Sequence, residues 1–418
     1  MSTGGRAVED AFRDAWPVVV AATARFTRDL DLAEDCAQEA LERALRSWDE
    51  AVPRVPQAWL ITTARRIALD RLRRDTALRR KLPLLVEPHG GHADEDDADE
   101  DDAGVLAPED PLRLVFLCCH PALSRESQVV LTLRLVCGLD VGAIAAVTLS
   151  GRAGVARRIT RAKQKIIAAR VPFRLPCARE LSERLDAALT VVHLTHTAGH
   201  LAAHAHSSHG LRDDALNTRA VALARLLVRL LPDEPEPRGL LALITLTDAR
   251  GPSRTGEDGE MVLLPDQDRS QWDRTMIAEG LTLATAALRG GRPGRFTLQA
   301  AVAGLHAVAP SWADTDWDQI VASYDSLMRS WPSPVVALNR AMARSWSKET
   351  DLPDILAELD ALADQLPGYP YLPAARADVL RRLGRSDDAA HAYDQAHALT
   401  TNPLQRRYLD RQRSQSAR

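Results

Sequence analysis

The chain has 418 residues; 45% are hydrophobic, 26% are charged, and the formal net charge is −4. That composition fits a globular protein of about two to four domains. No apolar run approaches the ~20 residues that a membrane span needs, and Met1 to Asp14 lacks the basic-then-apolar order of a secretory leader, so a cytoplasmic protein without membrane contact is expected. Cys36, Cys118, Cys119, Cys137 and Cys177 fall in apolar helical stretches with no CxxC pair, which disfavours disulfides and zinc; all five are expected as buried packing residues.

Residues 8–82 read as three helices, broken by Pro53 and Pro56 before the third. In the second, Asp31 to Trp48, Ala37, Leu41, Ala44, Leu45 and Trp48 follow the 3.6-residue period and form the expected buried stripe. Asp35, Gln38, Glu39 and Glu42 share the opposite, wet face. The third helix, Trp59 to Lys81, is strongly basic. Residues 94–102 read DEDDADEDD, a self-repelling block between Pro88 and Pro108 that cannot be ordered by burial, so residues 86–108 are expected to form a flexible acidic linker. It would let the pieces on either side move independently.

Residues 109–173 form the next helical unit. Ser124 is placed to cap a helix that has Glu126 in its positive first turn and Gly138 at its end. A short helix and a tight turn in residues 138–151 precede a second basic helix from Arg152, the layout of a helix-turn-helix. There Val155, Ile159, Ala162 and Ile166 face inward and leave Arg157, Arg158, Arg161, Lys163 and Lys165 outside. Two basic helices that lie one linker apart point to two-point recognition of DNA. The acids are concentrated elsewhere, so the whole-chain charge hides this signal.

Residues 174–418 are predicted to be helical, with little β signal. Short helix pairs recur: 238–250 with 272–289, 297–308 with 317–329, 334–345 with 352–365, and 371–383 with 387–399. Residues 375–399 carry the small-residue and Leu-Gly spacing of a tetratricopeptide unit. An array of antiparallel pairs, each burying its face against the next, fits this half. Within it His193, His196, His200 and His204 form one helical stripe, with His206 and His209 just beyond. Imidazoles so spaced can chelate Zn(II), Ni(II) or Cu(II); a structural or pH-sensitive face is the plainer reading. No cofactor is expected.

At AEDCAQEALERAL (33–45) and QAWLITTARRIALDRLRR (57–74) the chain resembles region two of extracytoplasmic-function (ECF) sigma factors of RNA polymerase. Residues 110–173, with RITRAKQKI, resemble region four of the subgroup that carries a tetratricopeptide-like C-terminal extension; PDEPEPRGLLALITLTDAR and LPDQDRSQWDRTMIAEGL resemble that extension. The resemblance implies an all-α protein: region two over 8–85, the linker, region four over 109–173 and the helical extension over 174–418. It implies a sigma factor that binds core polymerase through the β′ clamp and the β flap and directs promoter-specific initiation.

On these residues, Asp35, Gln38 and Glu39 would dock on the clamp coiled coil. Arg65, Arg66, Arg71, Arg73 and Arg74 would hold phosphates at the −10 element, Asp70 would pair with Arg66 and Arg74 or touch a base, and Trp59 would stack on a base or pack in the core. Arg152, Arg157 and Arg158 would meet bases or phosphates in the −35 major groove, with Arg161 and Lys163 as phosphate contacts or packing supports. Relatives begin this helix with a hydroxyl or acidic residue and a Thr; here it begins GRAG, and Gly154 costs the helix about 1 kcal/mol against Ala. The linker would thread the RNA path as a polyanion or act as a plain spacer. The extension would modulate activity and offer a concave surface to a protein partner.

There is no GxSxG, P-loop, HExxH or dinucleotide fingerprint, so an enzyme is not expected. The alternative is a DNA-binding regulator whose helical repeats sense a ligand or a protein. Such a protein needs neither the acidic row on residues 31–48 nor a second basic helix.

Overall fold

The computed structural model describes residues 3–48, 51–81, 109–148, 150–205, 213–254, 256, 260–400 and 402–416. Among the described residues its regular elements are α-helices and short 3-10 segments. The expected acidic linker, residues 86–108, lies wholly outside the described residues, as do His206 and His209. The chain divides into two compact units, residues 1–199 with 214–220, and residues 200–213 with 221–418.

The first unit opens with α1 (Thr3–Thr27), α2 (Leu30–Ser47) and α3 (Pro56–Lys81), each packed on the other two. Asp29 caps α2, its carboxylate accepting from the backbone N–H of Asp31 and of Leu32. The buried face of α2 is Leu30, Ala33, Glu34, Cys36, Ala37, Ala40 and Ala44, so the expected stripe is rotated: Leu45 stands 52% exposed. Small residues on this face let α1 and α3 approach closely, bringing in Trp16, Val19, Val20 and Ala24 from one and Leu60, Ala64, Ile67 and Ala68 from the other.

After the linker come α4 (Asp110–Cys118), α5 (Arg125–Leu135), α6 (Val141–Val147) and α7 (Arg152–Ala168). Ser124 caps α5 through the N–H of Ser127, and Gly138 takes a φ of 68°, the left-handed turn that ends the segment. Val155, Ile159, Ala162 and Ile166 are all buried as the spacing predicts, and α7 packs on α5 and α6. Four cysteines are buried, but Cys177 is exposed, because it sits just ahead of the next helix rather than inside one.

The helices on the two sides of the linker, expected to move independently, belong to one unit. Helix α1 packs on α4; the Trp16 indole N–H donates to the Leu135 carbonyl at 3.0 Å, and Arg25 lies 3.4 Å from the fully buried Asp110. Burial raises the Asp110 carboxyl above the usual carboxylate range, against the pull of Arg25 and Arg113.

Helices α8 (Ala178–Ala205) and α9 (Asp213–Leu230) straddle the division. The second unit continues with α10 (Pro235–Asp248), α11 (Arg274–Arg289), α12 (Arg295–Val308), α13 (Trp317–Ser330), α14 (Pro334–Arg344), α15 (Leu352–Ala361), α16 (Tyr371–Arg382), α17 (Ser386–Leu399) and α18 (Pro403–Ser416). Each packs on its successor, the pattern of a linear array, and α10 also packs on α12. At that crossing the Glu236 carboxylate accepts from the N–H of Phe296 at 2.9 Å and of Thr297 at 3.1 Å, capping α12 from a neighbouring helix. Gly239 gives α12 its room: a Cβ there would stand 2.6 Å from the Thr297 backbone nitrogen. Gly239→Ala is therefore expected to cost about 1–3 kcal/mol by overpacking, read as a lower urea midpoint at unchanged slope.

Candidate nucleic-acid interface

The acidic row stands only partly on a wet face, and its carboxylates are already engaged. Asp35 is exposed and Gln38 and Glu39 are half-buried. Arg71 of α3 reaches across to both carboxylates, 2.8 Å from Glu39 and 3.4 Å from Asp35. Partial burial works against the Glu39 charge, but hydrogen bonds from Arg43 and Arg71 outweigh it and hold the carboxyl below its usual range. A residue expected on phosphates is thus paired with residues expected on the polymerase.

Along α3 the other candidates divide. Arg66, Arg73 and Arg74 are exposed; Asp70 pairs with Arg74 one turn on. Arg65 is half-buried, its guanidinium 5.4 Å from the Phe26 ring centroid. Trp59 is half-buried and meets Trp48 edge-on at 5.5 Å.

On α7, Arg152, Arg157 and Arg161 are exposed and Arg158 is half-buried. The Arg152 guanidinium lies back over α6: a Cβ built on Gly142 would sit 2.8 Å from its Nη2. Lys163, expected outside, is only 5% exposed. Its ammonium donates to Asp31 at 2.6 Å and to Glu34 at 2.8 Å. Burial opposes its charge, yet Glu34 and Asp31 more than offset that and hold it above the ordinary lysine range. Periodicity puts Lys163 on the outer face of a lone α7, but its ammonium instead meets the α2 carboxylates Asp31 and Glu34.

Glu34 and Arg134 were not singled out by the sequence reading. Glu34 is 5% exposed, pairs with Arg134 as well as Lys163, and accepts from the Gln38 amide at 3.3 Å. The signal was present: Glu34 falls on the Leu30, Ala37, Ala44 face, and a carboxylate inside an apolar stripe needs a buried cation.

In α8, His196 is buried and His193 half-buried; the side chains of His200 and His204 lie outside the described residues. Among the described residues no group of three or more His, Cys, Asp or Glu is arranged to hold a metal ion. Nor, among them, is any helix long and apolar enough to cross a membrane.

Two family models match separate stretches of the chain. The family model for sigma-70 region 2 matches residues 11–77, which are α1 to α3, and a family of unknown function, DUF6596, matches residues 184–288. A probable ECF RNA polymerase sigma factor, SigI, of Mycobacterium tuberculosis is 30% identical over 148 residues, 35% of this chain and 50% of its own length. An uncharacterized protein of Rhizobium meliloti (strain 1021) is 41% identical over 405 residues, covering 96% of this chain and 94% of its own. No solved structure matches. The chain carries a sigma-70 region 2 domain at its N-terminal end and belongs, over almost its whole length, to the family of the Rhizobium meliloti protein.

Proposed function

We propose that the chain is an alternative, ECF-type sigma factor that binds core RNA polymerase and directs initiation at promoters with −10 and −35 elements. Residues 8–85 act as region two, 86–108 as an acidic linker, 109–173 as a helix-turn-helix region four, and 174–418 as a tetratricopeptide-like extension that modulates activity. The observation that carries this reading is the sigma-70 region 2 match on α1 to α3, where one helix bears Asp35 and Glu39 and the next bears Arg66, Arg73 and Arg74. A carboxylate row beside a cationic helix suits a protein that must hold a polymerase and DNA on adjoining faces. Exposed Arg157 and Arg161 on α7 support a second DNA contact. The protein does no chemistry of its own in this reading; catalysis belongs to the polymerase.

The test mixes purified protein with sigma-free core polymerase and fragmented genomic DNA and maps transcript 5′ ends. New starts that share boxes near −35 and −10 are expected. Absence of new starts, together with absence of core binding, would replace this reading with that of a DNA-binding regulator.

A further inference from the structure

Within the first unit, the α1–α3 helices and the α4–α7 helices are tied together by a set of polar bonds. Among the described residues α2 packs helix on helix with α1 and α3, and reaches α5 and α7 through the ends of long side chains. Glu34 is the hub. Its carboxylate accepts from the Lys163 ammonium of α7 at 2.8 Å and from the Gln38 amide of its own helix at 3.3 Å, and it pairs with the Arg134 guanidinium of α5. Asp31, one turn earlier, accepts from the same ammonium at 2.6 Å. Two cations from one side thus meet two carboxylates from the other.

Two further bonds flank this corner. The Trp16 indole N–H of α1 donates to the Leu135 carbonyl, which lies in the last turn of α5 and has no acceptor role inside its own helix. Arg25 of α1 lies 3.4 Å from Asp110 of α4.

Such contacts suit a seam that opens. Glu34, Lys163 and Arg134 regain hydration when they part, so a buried ion cluster contributes less net stability than its short distances imply. Its place in the chain matters as well. Helix α2 carries the row Asp35, Gln38 and Glu39, read above as the polymerase-docking face, and α7 carries the arginines read as −35 contacts. The cluster holds these two helices side by side, whereas a promoter needs them one box apart.

We propose that this contact is autoinhibitory: Glu34 and Asp31, holding Lys163 and Arg134, keep the free chain in a closed form that cannot span two promoter boxes, and core polymerase opens it by engaging α2. This device presupposes the sigma-factor reading. Gln38 links the two events, since it belongs to the docking row and is bonded to Glu34, so a partner that takes Gln38 removes one of the bonds that orient the hub. Only the open form engages the promoter, so the apparent affinity of the chain is reduced by the fraction that stays closed.

Spin labels at Ser47→Cys on α2 and Ala168→Cys on α7, both exposed positions, report the separation by double electron–electron resonance, with Cys177→Ser removing the exposed native thiol. The free chain is expected to show one short separation, and core polymerase with a −35/−10 promoter duplex is expected to lengthen it by tens of ångströms. In unlabelled chains, Lys163→Met should half-saturate core polymerase on promoter DNA at a concentration about tenfold below the wild type, and the milder Asp31→Asn, at an exposed side chain, about threefold below. Glu42→Gln, at an exposed acid outside the contact, should leave that midpoint unchanged. A merely structural Lys163 would move it the other way, because the variant is less stable. Promoter-specific starts with an unchanged separation, or midpoints at or above the wild type in both variants, would overturn the proposal and leave the sigma-factor reading standing. Absence of core binding by the wild type would overturn both.

Discussion

Replacing Lys163 with Met is expected to lower the unfolding free energy by about 2–3 kcal/mol and to leave the affinity of the chain for −35 duplex DNA no weaker than that of the wild type. The size follows from what remains. Glu34 keeps Arg134 and Gln38, and Asp31 is well exposed, so the loss falls below that of a fully isolated buried charge. The Lys163 pKa is raised in the fold, so its contribution is complete below the ordinary lysine value of 10.5 and is lost only as pH rises through the folded value. The difference between variant and wild type in urea melts should therefore be flat from roughly pH 6 to pH 9.

The DNA half of this prediction separates two roles. A lysine that reaches phosphate would, when removed, weaken binding and reduce the salt slope by about 1. Arg157→Ala on the exposed face of α7 is expected to do that, and Lys163→Met is not. The contact also bears on mechanism. Boxes about 25 base pairs apart lie ~80 Å apart along B-DNA, whereas the Lys163 ammonium stands 2.6 Å from Asp31. A sigma factor that engages both boxes must break this contact, so Lys163→Met should aid, not hinder, promoter engagement by the holoenzyme. Equal loss of duplex binding in Lys163→Met and Arg157→Ala would return Lys163 to the DNA face.

What the sequence made legible is what repeats locally. The 3.6-residue period, the Ser124 cap and the left-handed Gly138 are decided within one helix or turn, and they stand where the pattern puts them. The recurring pairs from α10 to α17 could be read for the same reason. Lys163, Leu45 and Cys177 could not, since each depends on which neighbour covers a face or on where a helix begins. The 3-10 turns between α10 and α11 were also missed: Trp272, read as helical, precedes the Asp273 cap and donates its indole N–H to Ser253 Oγ at 2.7 Å. A loop ordered by such long-range contacts leaves no period to detect.

Charge reversal of Asp35 and Glu39 together, to Lys, is expected to abolish core polymerase binding while lowering stability by about 1–2 kcal/mol, since the two new ammonium groups face Arg71 and Arg43. Asp35 is exposed and Glu39 half-buried, so the ion pairs they give up with Arg71 and Arg43 are surface pairs of small worth. Against a basic partner surface, by contrast, the reversal places like charges opposite one another, which costs several kcal/mol and slows encounter. Arg71 complicates a simple reading, because both carboxylates now hold it and docking on a partner must compete with that cation. Arg71→Ala discriminates: it should preserve or tighten core binding by releasing Asp35 and Glu39. Any loss should appear at the −10 element. Wild-type core affinity in the double reversal would remove this row from the docking surface, and parallel loss of core binding in Arg71→Ala would instead make the Arg71 bridge part of the shape that the polymerase recognises.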